Sequence, residues 1–123
     1  IVISHLTLGT NDIEKAEQFY SAILGFLDVT QIYKSETVIF YQFPNSDTKL
    51  SITKPFDGKE ATVGNGTMLA LKLTSPEDVT DMYNKAQSLG AQCEGQPGPR
   101  NDGSYFGAYF RDLDGNKIAI FYR

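Results

Sequence analysis

The chain has 123 residues, 41% of them hydrophobic and 21% charged, with a formal net charge of −4. At this length a single domain is expected, large enough to bury a core and hold a modest pocket. The apolar runs are too short to cross a bilayer, scattered Lys and Arg in an acidic chain argue against nucleic acid, and the one cysteine, Cys93, excludes an internal disulfide.

In chain order, Ile1 to Leu8 reads as a strand, interrupted by Gly9-Thr10-Asn11-Asp12. Asn11 is the expected N-cap, with Glu14 three residues on as in a capping box. Ile13, Ala16, Phe19, Tyr20, Ile23 and Leu24 follow at helical spacing, and Gly25 reads as the left-handed residue that closes the helix. Strands are expected at Leu27 to Tyr33, Thr37 to Phe43 and Lys49 to Thr53, with Pro44 to Asp47 as a turn. A polar linker of about 58–66 separates a first module of about 1–57 from a second of about 67–123.

The second module begins with a strand from Thr67 to Leu73. Ser75 then caps a helix whose first position is Pro76. Val79, Met82, Tyr83, Ala86 and Leu89 form its apolar stripe, and Gly90 ends it. Ala91 to Glu94, Tyr105 to Arg111 and Lys117 to Tyr122 read as strands, and Gln96 to Gly103 as a Pro/Gly-rich loop that could gate a pocket. Asp112-Leu113-Asp114-Gly115-Asn116 is a hairpin turn, since it lacks the length and the later Glu of a calcium loop. Asn11 to Ser75 and Gly25 to Gly90 repeat with a period of about 65 residues, so each half reads strand, helix, strand, strand, strand. One helix covers one face of each small sheet, and the uncovered faces are expected to meet around a cavity suited to a ligand.

This pattern resembles the glyoxalase/bleomycin-resistance/dioxygenase superfamily, also called vicinal oxygen chelate. The carrying segments are Ile3-Ser4-His5-Leu6-Thr7-Leu8-Gly9-Thr10-Asn11-Asp12, Phe19-Tyr20 with Ile23-Leu24-Gly25-Phe26, Gly64-Asn65-Gly66-Thr67, Tyr105 to Tyr109, and Arg111-Asp112-Leu113-Asp114-Gly115-Asn116-Lys117-Ile118. The resemblance implies an α+β fold of two βαβββ modules, a curved mixed sheet around a cavity with the helices outside, and a homodimer. Metal-dependent members of the family hold a divalent cation through one residue from the first and one from the last strand of each module. Those positions here are His5, Ser51, Met68 and Ala119. Only His5, the sole histidine, is an ordinary ligand, and Ala119 stands where a carboxylate is typical. No metal and no other cofactor is therefore expected.

Small Ser51 and Ala119 would leave room in such a cavity, with Met68 and Phe121 as apolar wall and Lys72 near the rim. His5 would hydrogen-bond the ligand or be satisfied by its neighbours. One or two of Tyr41, Tyr105 and Tyr109 would touch the ligand, and Arg100 would meet an anion or stay solvated. Cys93 lacks a dedicated base, because one histidine must serve every role. The leading expectation is a metal-free cytoplasmic protein that binds or sequesters a small organic molecule, cationic or neutral given the acidic chain, with no nucleic-acid or membrane partner. The alternatives are a glyoxalase-like lyase, isomerase or dioxygenase, its metal held by His5 with Glu36 or Glu94, and an interaction module whose cavity is filled by side chains.

Overall fold

Two amphipathic helices, each lying on one face of its own four-stranded sheet, organise the chain. The computed structural model describes residues 1–123, the side chain of Phe26 excepted. The chain divides into two compact units, Ile1–Thr62 and Val63–Arg123. The first contains β1 (His5–Gly9), α1 (Ile13–Leu24), β2 (Thr30–Lys34), β3 (Val38–Gln42) and β4 (Lys49–Thr53). The second contains β5 (Leu69–Lys72), α2 (Pro76–Ser88), β6 (Gln92–Arg100), β7 (Tyr105–Arg111) and β8 (Lys117–Tyr122). The sheets run β1-β4-β3-β2 and β5-β8-β7-β6, so the units share one topology. In each, the strand before the helix pairs parallel with the last strand, and the other pairings are antiparallel. This is the α+β, twice-βαβββ fold expected from the repeat.

The stripe of α1 is buried in full, over Ile39, Tyr41, Leu50 and Ile52 of β3 and β4. That of α2 buries Val79, Met82, Tyr83 and Ala86 beside Ala108, Phe110, Ile118 and Ile120. Each buried aliphatic or aromatic side chain contributes roughly 1.5–3 kcal/mol of transfer free energy, so these helix-covered faces hold the units together.

Several local expectations need correcting. The cap of α1 is Asp12, whose carboxylate accepts from the Lys15 N–H at 3.0 Å. Asn11 instead turns its carboxamide oxygen to the Ala61 N–H at 2.7 Å. Gly25 is right-handed and opens a 3-10 turn, Gly25–Leu27, and Asp28 supplies the left-handed residue at φ 59°. The supposed loop after Gln96 is largely strand, because β6 runs on to Arg100 and pairs with β7 through two register shifts. Pro97 and Pro99 are tolerated there because β6 is an edge strand. Ser75, Pro76 and Gly90 (φ 102°) behave as expected. The Asp112 hairpin does too: one carboxylate oxygen accepts the N–H groups of Asp114 and Asn116, both at 2.9 Å, and the other accepts the Asn116 side-chain amide at 2.9 Å.

Candidate functional site

Side chains alternate across a strand, so pairing register sorts each sheet into a helix-covered and a helix-free face. In the first unit, Thr7 pairs with Ser51 and Ser51 with Phe40, which in turn pairs with Tyr33. His5 lies two residues before Thr7, so it shares this helix-free face. The His5 ring meets Phe40 edge-on at 5.6 Å, Phe40 meets Tyr33 at 6.5 Å, and the His5 Nδ1 lies 3.0 Å from the Ser4 hydroxyl. Ser51 is buried beside this aromatic row.

Tyr41 is the misplaced residue among the expected ligand contacts. It alternates with Phe40 and falls under α1, where its hydroxyl bonds that of Ser21 at 2.8 Å. Burial raises its pKa above the ordinary phenol value, opposed by the Ser21 hydrogen bond. Tyr41 is core.

The second unit's helix-free face carries Ala70 and Lys72 of β5, Lys117, Ala119 and Phe121 of β8, and Tyr105, Gly107 and Tyr109 of β7. Met68 immediately precedes β5 in the same alternation and is 45% exposed, and Lys72 is exposed. Ala119, 5% exposed, pairs with Tyr109. The Tyr105 and Tyr109 hydroxyls share a hydrogen bond of 2.7 Å, and Tyr105 meets Phe121 edge-on at 6.2 Å. Arg100, at the end of β6, stands 5.8 Å from the Tyr109 ring centroid, and the Lys117 ammonium stands 5.7 Å from it. The Arg123 guanidinium lies 5.3 Å from the Phe121 ring. The Tyr105 hydrogen bond and burial hold the Tyr109 pKa above the usual phenol value, and Arg100 opposes them.

Glycines make this arrangement possible. A Cβ at Gly107 would stand 3.0 Å from the Tyr105 ring, and one at Gly95 3.0 Å from the Tyr109 ring and 3.3 Å from an Arg100 nitrogen. A Cβ at Gly98 would approach Arg100 to 3.2 Å. Either ring contact is tighter than nine in ten real Cβ contacts, so the tyrosine pair lies against bare backbone. Arg100 is steadied by donating to the carbonyls of Gln96 (2.6 Å) and Pro99 (3.3 Å), which leaves part of its five-donor fork free.

The four positions expected from the family's metal site lie two on each helix-free face, His5 and Ser51 on the first and Met68 and Ala119 on the second, each pair offset by two residues along the ladder. They do not fit a divalent cation. One imidazole, a hydroxyl, a thioether and a methyl group offer a single good donor. Among the described residues, no three of His, Cys, Asp and Glu stand close enough together to hold an ion. Glu94 is committed to the Arg111 guanidinium at 2.6 Å. Cys93 hydrogen-bonds the Tyr83 hydroxyl on the helix side of its sheet, which raises the Tyr83 pKa.

Phe40 and Tyr33 escaped the sequence reading, although both follow from the alternation in β3 and its pairing with β2. Lys117 shares the face of Ala119 and Phe121, as the alternation of the last strand predicts. The first unit also has a cavity of about 250 Å³ at the sheet end, lined by Thr10, Asn11, Lys54, Pro55, Lys59 and Glu60 among others. None of the expected site residues lines it. No helix among the described residues is long and apolar enough to cross a membrane.

With this geometry in place, the comparison with known proteins decides the family. A sequence profile of the Glyoxalase/Bleomycin resistance protein/Dioxygenase superfamily matches residues 2–120. The chain belongs to this superfamily. Among solved structures of the superfamily, a glyoxalase/bleomycin resistance protein from Albidiferax ferrireducens T118 is 36% identical, with 98% of each chain covered and a TM-score of 0.89. A glyoxalase-related enzyme from Fulvimarina pelagi shares the fold at 21% identity, covering 98% of this chain and 87% of its own, with a TM-score of 0.81. The Bacillus subtilis protein YraH is 28% identical over 94% of each chain.

Proposed function

We propose that this superfamily member binds a small organic molecule without a metal ion, on the helix-free face of its second sheet. One observation carries the reading. His5 and Ser51 share one helix-free face and Met68 and Ala119 the other, each pair offset by two residues along the ladder, at the positions where metal-dependent members place ligands, yet only His5 can ligate. In place of donors the second unit presents Tyr105, Tyr109 and Phe121, with Tyr105 edge-on to Phe121, over a glycine floor. Aromatic surface with a few polar tips suits a small organic ligand. The role that follows is binding or sequestration, in the cytoplasm, by a homodimer. Light scattering that returns the mass of one chain would remove the dimer.

The test is metal content by mass spectrometry, on protein produced with Mn, Fe, Ni and Zn supplied, beside His5→Ala. Substoichiometric metal in both proteins is expected. A near-stoichiometric metal lost in His5→Ala overturns the proposal and makes a metal-dependent enzyme the better reading.

A further inference from the structure

The acidic chain carries a basic binding face. At the ladder positions of the second unit's helix-free face stand Lys72, Arg111 and Lys117, with Arg100 at the end of β6 and Arg123 just past β8. No Asp or Glu occupies a ladder position on that face among the described residues. Glu94, in the bulge of β6, is tied to Arg111. The first unit's helix-free face differs, with Lys49 as its single Lys or Arg at a ladder position among the described residues. Net charge is therefore the wrong scale for choosing a ligand, because the acids sit elsewhere, among them Glu14 and Glu17 of α1 and Glu77 and Asp78 of α2.

We infer that the ligand of this face is a small planar aromatic carboxylate, its anion taken by Arg100 and Lys117 and its ring packed on Tyr105 and Phe121. The inference rests on the binding reading above and adds the ligand's class. Three observations converge on it. Arg100 and Lys117 are both drawn to the Tyr109 ring, at 5.8 and 5.7 Å, so one side chain positions both cations. Neither Arg100 nor Lys117 is paired with a carboxylate among the described residues, which leaves their N–H groups for an acceptor. Gly95, Gly98 and Gly107 keep the floor beneath the rings and Arg100 free of side chains. A cationic ligand would meet like charge here, and like charges brought together on binding disfavour the wrong partner. A bare phosphate would use the cations and leave the aromatic surface idle, whereas an aryl carboxylate uses both.

The test is a titration of isotope-labelled protein by amide chemical shifts, with benzoate, benzamide, benzylammonium and inorganic phosphate as probes. Benzoate is expected to saturate the shifts of Gly95, Gly107 and Tyr109 with a Kd of roughly millimolar order, as for a fragment-sized ligand. The other three probes should bind at least about tenfold more weakly, and Lys117→Gln and Arg100→Gln should each weaken benzoate by about tenfold. Lys117→Arg should restore much of the loss, and unchanged amide dispersion shows that each variant is folded. Benzamide or benzylammonium binding these amides as tightly as benzoate overturns the carboxylate inference and leaves small-molecule binding standing. Phosphate binding as tightly overturns the aromatic part. Full benzoate affinity in both Gln variants overturns the assigned anchors. No probe perturbing these amides removes the inference and the binding reading together.

Discussion

The two units repeat one topology with opposite fidelity on their two faces. Under the helices they are alike: Leu8 pairs with Ile52 in the first and Leu71 with Ile120 in the second, and both ladders lie beneath an amphipathic helix. On the helix-free faces, residues in matching register have diverged. Phe40 corresponds to Tyr109, each paired with a small residue of the last strand, Ser51 or Ala119. Thr53 corresponds to Phe121 and Val38 to Gly107. The first unit displays His5, Phe40 and Tyr33 with one lysine, and the second displays tyrosines, Phe121 and a ring of cations. The lesson concerns constraint. A face that must fill space against a helix accepts few side chains, whereas a face released from that duty can be respecified for a ligand without cost to the core.

The equivalence of the covered faces makes the largest prediction. Ile52→Ala and Ile120→Ala should each destabilise the protein by about 2–5 kcal/mol in urea unfolding; a negligible cost at either position breaks the comparison. Next is the divergence at Val38 and Gly107. Gly107→Ala forces a Cβ to 3.0 Å from the Tyr105 ring and should cost about 1–3 kcal/mol as an overpacked site. Val38→Ala, at the matching half-buried position, should cost less than about 1 kcal/mol.

Tyr41→Phe sharpens the distinction between core and ligand tyrosines. Losing the Ser21 hydrogen bond should cost about 1 kcal/mol at neutral pH, with benzoate binding unchanged. The folded-state pKa of Tyr41 lies above that of the unfolded chain. The stability linked to its neutral phenol is therefore fully present below about pH 10 and is lost as pH rises through the folded value. Wild type should lose more stability than Tyr41→Phe between pH 8 and 11, read as the shift in urea midpoint. The smallest effect is expected at Lys49, the one lysine at a ladder position on the first unit's helix-free face among the described residues. Lys49→Gln should change the benzoate Kd less than about twofold, against about tenfold for Lys117→Gln. A large effect at Lys49 would break the assignment of the anion site to the second unit.

Much of the fold was legible because its signals are local. The stripes of α1 and α2, the Ser75-Pro76 start and the Asp112 turn are each contained within a few residues of sequence. The errors arose where a distant partner intervened. Asn11 and Asp12 are both competent caps, and the Ala61 N–H, 50 residues on, claims Asn11. The Pro/Gly-rich run after Gln96 looks like a loop, but pairing with β7 extends it as an edge strand. Of the candidate site, Met68, Lys72, Ala119 and Phe121 followed from alternation combined with the family motif. Tyr41 reads as a ligand tyrosine only when the face it shares is ignored, since its alternation with Phe40 and its companion Ile39 point to the core.

The sequence by itself determined the repeat, the helices and the hairpin, because periodicity and capping chemistry reside in residue types and spacings. Only the tertiary structure decided which rings and charges meet. Arg100, Tyr109 and Lys117 come from three strands, β6, β7 and β8, and their proximity depends on the bulged register of β6 against β7 and the β7–β8 ladder. A charge acts over a few ångströms in space rather than along the chain, so the acidic composition gave no sign of the basic face that pairing assembles.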